Sequence, residues 1–174
     1  MRLYLTLFLS LFLFACAPVI SEEIREKTDV SVTFKEVAQS PDNYEGKIVL
    51  WGGEIIQTLP QDDGSVLIEV LERPLGWTKR PQRTVSFRGR FLILLRDPLD
   101  PSHYRERARI TVAGEIQGSM PGEKIESLSD PTYRYPLLLS KEIHVWGDGV
   151  YPYSNVPDVG ETGGYRGFEG TSRY

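Results

Sequence analysis

The groups in this 174-residue chain that could do chemistry are few: one thiol, two imidazoles and some paired acids. Nucleophilic catalysis would need Ser or Cys beside His and a carboxylate, and no Gly-x-Ser-x-Gly elbow occurs. The single cysteine, Cys16, excludes an intramolecular disulfide framework and any multi-thiolate zinc site. His103 and His144, with Asp97 or Asp100, could in principle share a metal. The plainer reading makes them a solvated loop histidine and a strand-surface histidine. Asp62-Asp63 has the form of an acid–base pair, yet Asp-Asp-Gly between two strands is first a turn. Asp97 and Asp100 bracket prolines and suit turn capping. Gly52-Gly53 lacks the spacing of a phosphate-binding loop. The residues call for no cofactor and no metal.

Composition narrows the rest. With 40% hydrophobic and 25% charged residues, the chain is neither a polytopic membrane protein nor wholly disordered. A net charge of −4 and a pI near 5.3 argue against capture of nucleic acid.

Cys16 has a distinctive position. It ends an apolar run, Leu3 to Ala15, whose thirteen residues would rise about 20 Å as a helix, short of the hydrocarbon core of a bilayer. That length, behind Arg2 and the free amine, fits a signal peptide. Leu13-Phe14-Ala15-Cys16 resembles the bacterial lipobox, with Phe14 departing from its usual small residue. The resemblance implies cleavage between Ala15 and Cys16 and acyl chains on Cys16. Ala17 in place of Asp implies sorting to the outer membrane. The alternative is a plain secretory peptide with Cys16 a bystander. Residues 1–15 are thus expected to be a leader, and 16–31 a polar, flexible tether.

The elements that follow read mainly as β. Thr33 with Glu36 forms a capping-box pattern, and Phe34, Val37 and Ala38 share a helical face, predicting one short helix over 33–40. Strands are expected over 47–59, 65–72, 84–95, from 107 or 109 to 117, and over 135–145. Gly52-Gly53 suggests a bulge or bend in the first. In the second, Val66, Ile68 and Val70 form an apolar face, opposite a mixed one of Leu67, Glu69 and Leu71. Gly-Glu-Ile recurs at 53–55 and 114–116, as two strands meeting one bending problem. Residues 148–174, poor in aliphatics, are expected to be a disordered tail. The fold expected is a small five-stranded, OB-like barrel over 32–147 with one short N-terminal helix.

A basic cluster, Lys79, Arg80, Arg83, Arg88 and Arg90, surrounds Trp77 and Phe87. Such a face on an OB-type barrel can bind sugars or nucleic acid strands; the plain alternative is a solvated strand face. Trp77, Arg83, Arg88 and Arg90 are the candidate ligand residues. Trp51 and Trp146 read as core or barrel-rim residues.

Several stretches carry a family likeness: Pro41-x-x-Tyr44-x-Gly46-Lys47, Trp51-Gly52-Gly53-Glu54-Ile55, Ile68-Glu69-Val70-Leu71-x-x-Pro74-Leu75 and Ser86-x-x-Gly89-Arg90-Phe91-Leu92. Asp100-Pro101-x-x-Tyr104, Ile110 to Gly118, Tyr135-Pro136-Leu137 and Ile143-His144-Val145-Trp146 complete the order. Together with the lipobox they resemble the Slp family of outer-membrane lipoproteins, the starvation-inducible type. The resemblance implies a periplasm-facing lipoprotein anchored in the outer membrane by its N-terminal acyl chains, with a stress- or starvation-related role. It brings no catalytic residues. The expected function is a non-enzymatic binding or structural module of the cell envelope, with an envelope protein or an anionic glycan or lipid as partner and no nucleic acid. The rival is an enzyme acting on an envelope glycan or lipid from the barrel groove.

Overall fold

A computed structural model describes residues 18–83, 88–96, 100–125 and 127–147. The lipobox, residues 84–87, Asp97 and the segment 148–174 lie outside the described residues. Five strands, β1 (Ile48–Pro60), β2 (Val66–Glu72), β3 (Arg90–Leu95), β4 (Arg109–Pro121) and β5 (Arg134–Trp146), close into a barrel in the order β1-β2-β3-β5-β4. All pairings are antiparallel except β3 with β5, which gives the OB-like arrangement expected. Pro136 sits opposite Ser119 of β4, ahead of the β3 pairing that begins at Leu137, so its missing N–H disturbs no central ladder.

Two short helices precede the barrel: α1 (Glu22–Glu26) and α2 (Phe34–Gln39). At α2 the capping box is complete. Thr33 Oγ1 accepts from the Glu36 amide, and the Glu36 carboxylate accepts from the Thr33 amide at 3.0 Å. Pro41 then opens a 3-10 turn. The buried α2 residues, Phe34 and Val37, join the barrel core with Trp51, Phe91, Ile93, Ile110 and Val112. Phe34, Trp51 and Phe91 meet edge to face or tilted at 5.0–6.0 Å between ring centres, a favoured aromatic geometry. Trp51 is thus a core residue, the first of the two places, core or barrel rim, expected for it.

Three expectations change. The bulge in β1 falls at Ile56, between Ile55 and Gln57, and not at Gly52-Gly53. The glycines serve close approach instead: a Cβ at Gly52 would stand 2.3 Å from Leu75 Cδ2, and one at Gly53 2.3 Å from Val70 Cγ1. In β4 the echoed glycine, Gly114, does lie at a register shift. Second, residues 18–31 are not a free tether. Ile20 is buried, the Ser21 amide donates to Glu142 at 2.9 Å, the Asp29 amide donates to Ile48 O at 2.8 Å, and Lys47 pairs with Asp29 at 3.1 Å. The apolar Val19-Ile20 pair ahead of α1 supplies a surface to bury, which a purely polar linker lacks. Third, the mixed face of β2 is covered, for reasons that belong to the site.

Candidate binding cleft and the cationic loop

The outer face of β2 and β3 is built from the rows Leu67–Leu94, Glu69–Leu92 and Leu71–Arg90. Residues 122–125 and 127–133, between β4 and β5, fold over part of it. Leu128 and Tyr135 bury Leu67 and Leu92 in a second apolar cluster, with Ile125, Tyr133 and Leu137 around it. This places Glu69 wholly out of solvent. Its carboxylate accepts from Gln57 Nε2 at 2.7 Å, the Ser129 amide at 3.2 Å, Tyr135 OH at 3.1 Å, and the Ser129 hydroxyl. A buried carboxylate is tolerated only when its lone pairs are met in this way. Burial and the Glu69 charge together push the Tyr135 phenol above its ordinary value, burial contributing most.

Where this connection stops covering the sheet, a cleft of about 360 Å³ remains, between it and the β1–β2 hairpin. Its floor is aliphatic: Leu67, Leu94, Met120 and Ile125. The hairpin supplies the other wall through Gln61, Asp62, Asp63 and Ser65. The hairpin is a turn, as its Asp-Asp-Gly suggested, with Gly64 at φ +83°, a conformation side chains disfavour. Asp63 accepts from Ser65 Oγ at 2.6 Å and from the Ser65 amide at 2.9 Å, which holds its carboxyl below the ordinary 3.8. The cleft occupies the surface that OB-type barrels use for ligands, strands 2 and 3 between the 1–2 and 4–5 connections.

Of the candidate ligand residues, the structure turns two toward carboxylates. Arg88 bonds Glu72 through Nε at 3.2 Å and Nη2 at 3.1 Å, and Arg90 faces Asp130 at 3.9 Å. Burial nevertheless raises the Glu72 carboxyl above its ordinary 4.5, against the opposing pull of Arg88. Trp77 and Arg83 belong instead to the loop between β2 and β3. This loop is a small hairpin bridged at Leu75 and Pro81, with Leu75 seated on Gly52. Thr111 Oγ1 donates to Lys79 O at 2.6 Å, and Arg109 Nη1 donates to Pro81 O at 2.9 Å. Desolvation, then the nearby Arg80 and Arg83 charges, lower the Arg109 pKa. The candidate ligand face therefore divides into two regions.

The remaining candidates fall into structural places. His144 lies on β5 edge-on to Trp146 at 4.6 Å, and Trp146 Nε1 donates to Thr111 Oγ1 at 2.9 Å, with the Arg80 guanidinium 5.2 Å from its ring centre. His103 is exposed and ends the 3-10 turn Pro101–His103. Asp100 caps that turn, its carboxylate accepting from the Ser102 amide at 2.8 Å. Among the described residues, no group of three or more His, Cys, Asp or Glu could hold a metal ion. None of their helices is long and apolar enough to cross a membrane. Sequence reasoning missed the cleft floor and Glu69. The only signal was Glu69 itself, an acid among five apolar neighbours in β2.

Residues 13–167 match the family model described as "Outer membrane lipoprotein Slp family". The curated outer membrane protein Slp of Escherichia coli (strain K12) is 29% identical over 144 residues, covering 82% of this chain and 73% of that protein.

Proposed function

The chain belongs to the Slp family of outer membrane lipoproteins, and on that premise we propose that it is a non-enzymatic binding module. In this reading Cys16 carries the acyl chains, the leader is cut after Ala15, and the barrel faces the periplasm. One acyl chain anchors marginally and two or more anchor stably, so a diacylglyceryl group with a third chain on the new amine would hold the domain at the bilayer. The occupant of the cleft is an envelope protein that offers an apolar side chain to the aliphatic floor and a basic one to Asp62 and Asp63. Anionic glycans and lipids suit this acidic wall poorly.

The observation that carries the non-enzymatic reading is the state of Glu69. Acid–base work needs a carboxylate that can exchange a proton with substrate. The Glu69 oxygens are instead occupied by Gln57, Ser129 and Tyr135, holding down the connection that frames the cleft. Ser129 beside it has no imidazole partner in this contact, and a carboxylate is a weak base for a hydroxyl nucleophile. Asp63, held below its ordinary value by Ser65, is a permanent anion at neutral pH and a poor proton donor.

The test is site-specific photo-crosslinking in intact cells. A crosslinker at Met120 or Asp62 is expected to give a discrete protein adduct that Leu94→Glu abolishes, while one at the exposed Lys35 gives none. Equal labelling from all three positions, or adducts indifferent to Leu94→Glu, would overturn the cleft as the binding surface.

A further inference from the structure

Among the described residues, the large apolar side chains left exposed are Trp77, at 94%, and Val30, at 93%. Trp77 stands at the tip of a loop, residues 73–83, with an unusual charge. It carries Arg73, Lys79, Arg80 and Arg83 and no carboxylate of its own, in a chain whose net charge is −4. Arg73 pairs with Glu54 of β1 at 3.5 Å and Arg80 lies against Trp146, while Lys79 is exposed at the tip. The loop is also firmly based. Its strands are closed by Gln82 N–H to Pro74 O and Gly76 N–H to Arg80 O, both 2.9 Å, and its outer flank is bound to Thr111 and Arg109. Indoles favour the bilayer interface, where the ring meets apolar matter and the N–H stays wet.

Position supplies the second argument. Thr111, which holds Lys79 O, pairs with His144 of β5. Two residues earlier on the same strand is Glu142, which holds the Ser21 amide at 2.9 Å. The two ties are separated by about 7 Å along the strand. Because residues 18–31 are bound to the barrel, only five residues of sequence separate the Ser21 tie from Cys16, a span of at most about 18 Å. Acyl chains on Cys16 would therefore keep this flank of the barrel near the bilayer.

We propose that the 73–83 loop is a second membrane contact, with Trp77 in the interfacial layer and Lys79 toward the phosphates of anionic phospholipid. This rests on the acylated Cys16 of the proposed function. The contact would fix the barrel's orientation and leave the β2–β3 cleft free for a protein partner.

The full-length acylated protein, reconstituted in vesicles of phosphatidylethanolamine and phosphatidylglycerol with or without brominated chains, tests the contact. Trp51 is buried, and the difference between wild type and Trp77→Phe isolates the Trp77 emission. That component is expected at shorter wavelength than free indole and quenched at least twofold by bromine. Lys79→Gln is expected to weaken the loop's lipid occupancy about fivefold, the contribution of one cation at an anionic surface. A Trp77 component at the solvent wavelength, indifferent to bromine and quenched by aqueous iodide, would overturn the proposal. The intact mass of the same sample reads Cys16 separately. Acylated Cys16 with a water-exposed Trp77 sinks only this contact, whereas a bare thiol sinks the anchor reading.

Discussion

Replacing Glu69 by leucine should loosen the connection that frames the cleft more than it loosens the barrel. Leucine fills a similar volume, so little of the effect comes from a cavity. What changes is the bonding: Gln57 Nε2, the Ser129 amide and hydroxyl, and Tyr135 OH lose their common acceptor. A donor left buried without a partner costs about 1–3 kcal/mol. Tyr135 OH keeps Asp130 O at 3.2 Å, and Gln57 and Ser129 lie close enough to solvent to recruit water. The gross loss is therefore reduced, and relief from burying a charge offsets part of it. We expect a net destabilisation of about 2 kcal/mol, roughly 30-fold in the folding equilibrium. Urea unfolding followed by circular dichroism reads the total. Hydrogen exchange locates it, with the Ser129 and Asp130 amides exchanging faster while those of β1 and β4 change least. A loss under about 0.5 kcal/mol, with unchanged exchange at Ser129 and Asp130, would show that the carboxylate does not hold this connection.

Gly52→Val should displace the 73–83 loop, since even a Cβ would stand 2.3 Å from Leu75 Cδ2; a destabilisation of about 1–3 kcal/mol and faster exchange at Gly76 and Gln82 would register it. Thr33→Ala removes the side-chain half of the capping box, the Thr33 hydroxyl that accepts from the Glu36 amide, and leaves the Glu36 carboxylate on the backbone N–H of residue 33; urea unfolding should show a loss of about 0.5–2 kcal/mol. Asp29, Asp63, Asp100 and Asp130 are held below their ordinary 3.8 by donors two residues on, at Ser31, Ser65, Ser102 and Thr132. Stability from such depressed carboxyls is present above pH 3.8 and lost as pH falls through the lowered values, so the urea midpoint should drop between pH 4 and pH 2. Glu72 acts in the opposite sense, its raised value easing its burial cost on acidification. Ser65→Ala should return the Asp63 titration, followed by carbon-13 NMR, toward 3.8.

Much of this fold was legible because its signals are local. The capping box at Thr33 and Glu36, the Asp-Asp-Gly turn and the alternation of Val66, Ile68 and Val70 each follow from neighbours in sequence. What stayed hidden is what depends on a distant segment crossing over. Leu67 and Glu69 read only as part of a mixed face because nothing within ten residues says that Leu128, Ser129 and Tyr135 will cover them. Gly52 read as a bend because its real reason, Leu75, arrives from the far side of β2. The basic cluster read as one face because charge spacing cannot show that Arg88 turns to Glu72 while Arg83 joins Arg80 and Arg109. Residues 18–31 read as a tether because their composition is polar, although Ile20 is buried and Ser21 and Asp29 bond to the barrel.

The most direct test of a binding module moored by its first mature residue is the intact mass of the protein purified from membranes. The account predicts a chain beginning at Cys16 that carries a diacylglyceryl group on sulfur and an acyl group on nitrogen. A product with the leader uncut, or a Cys16 thiol free to react with maleimide, would contradict it.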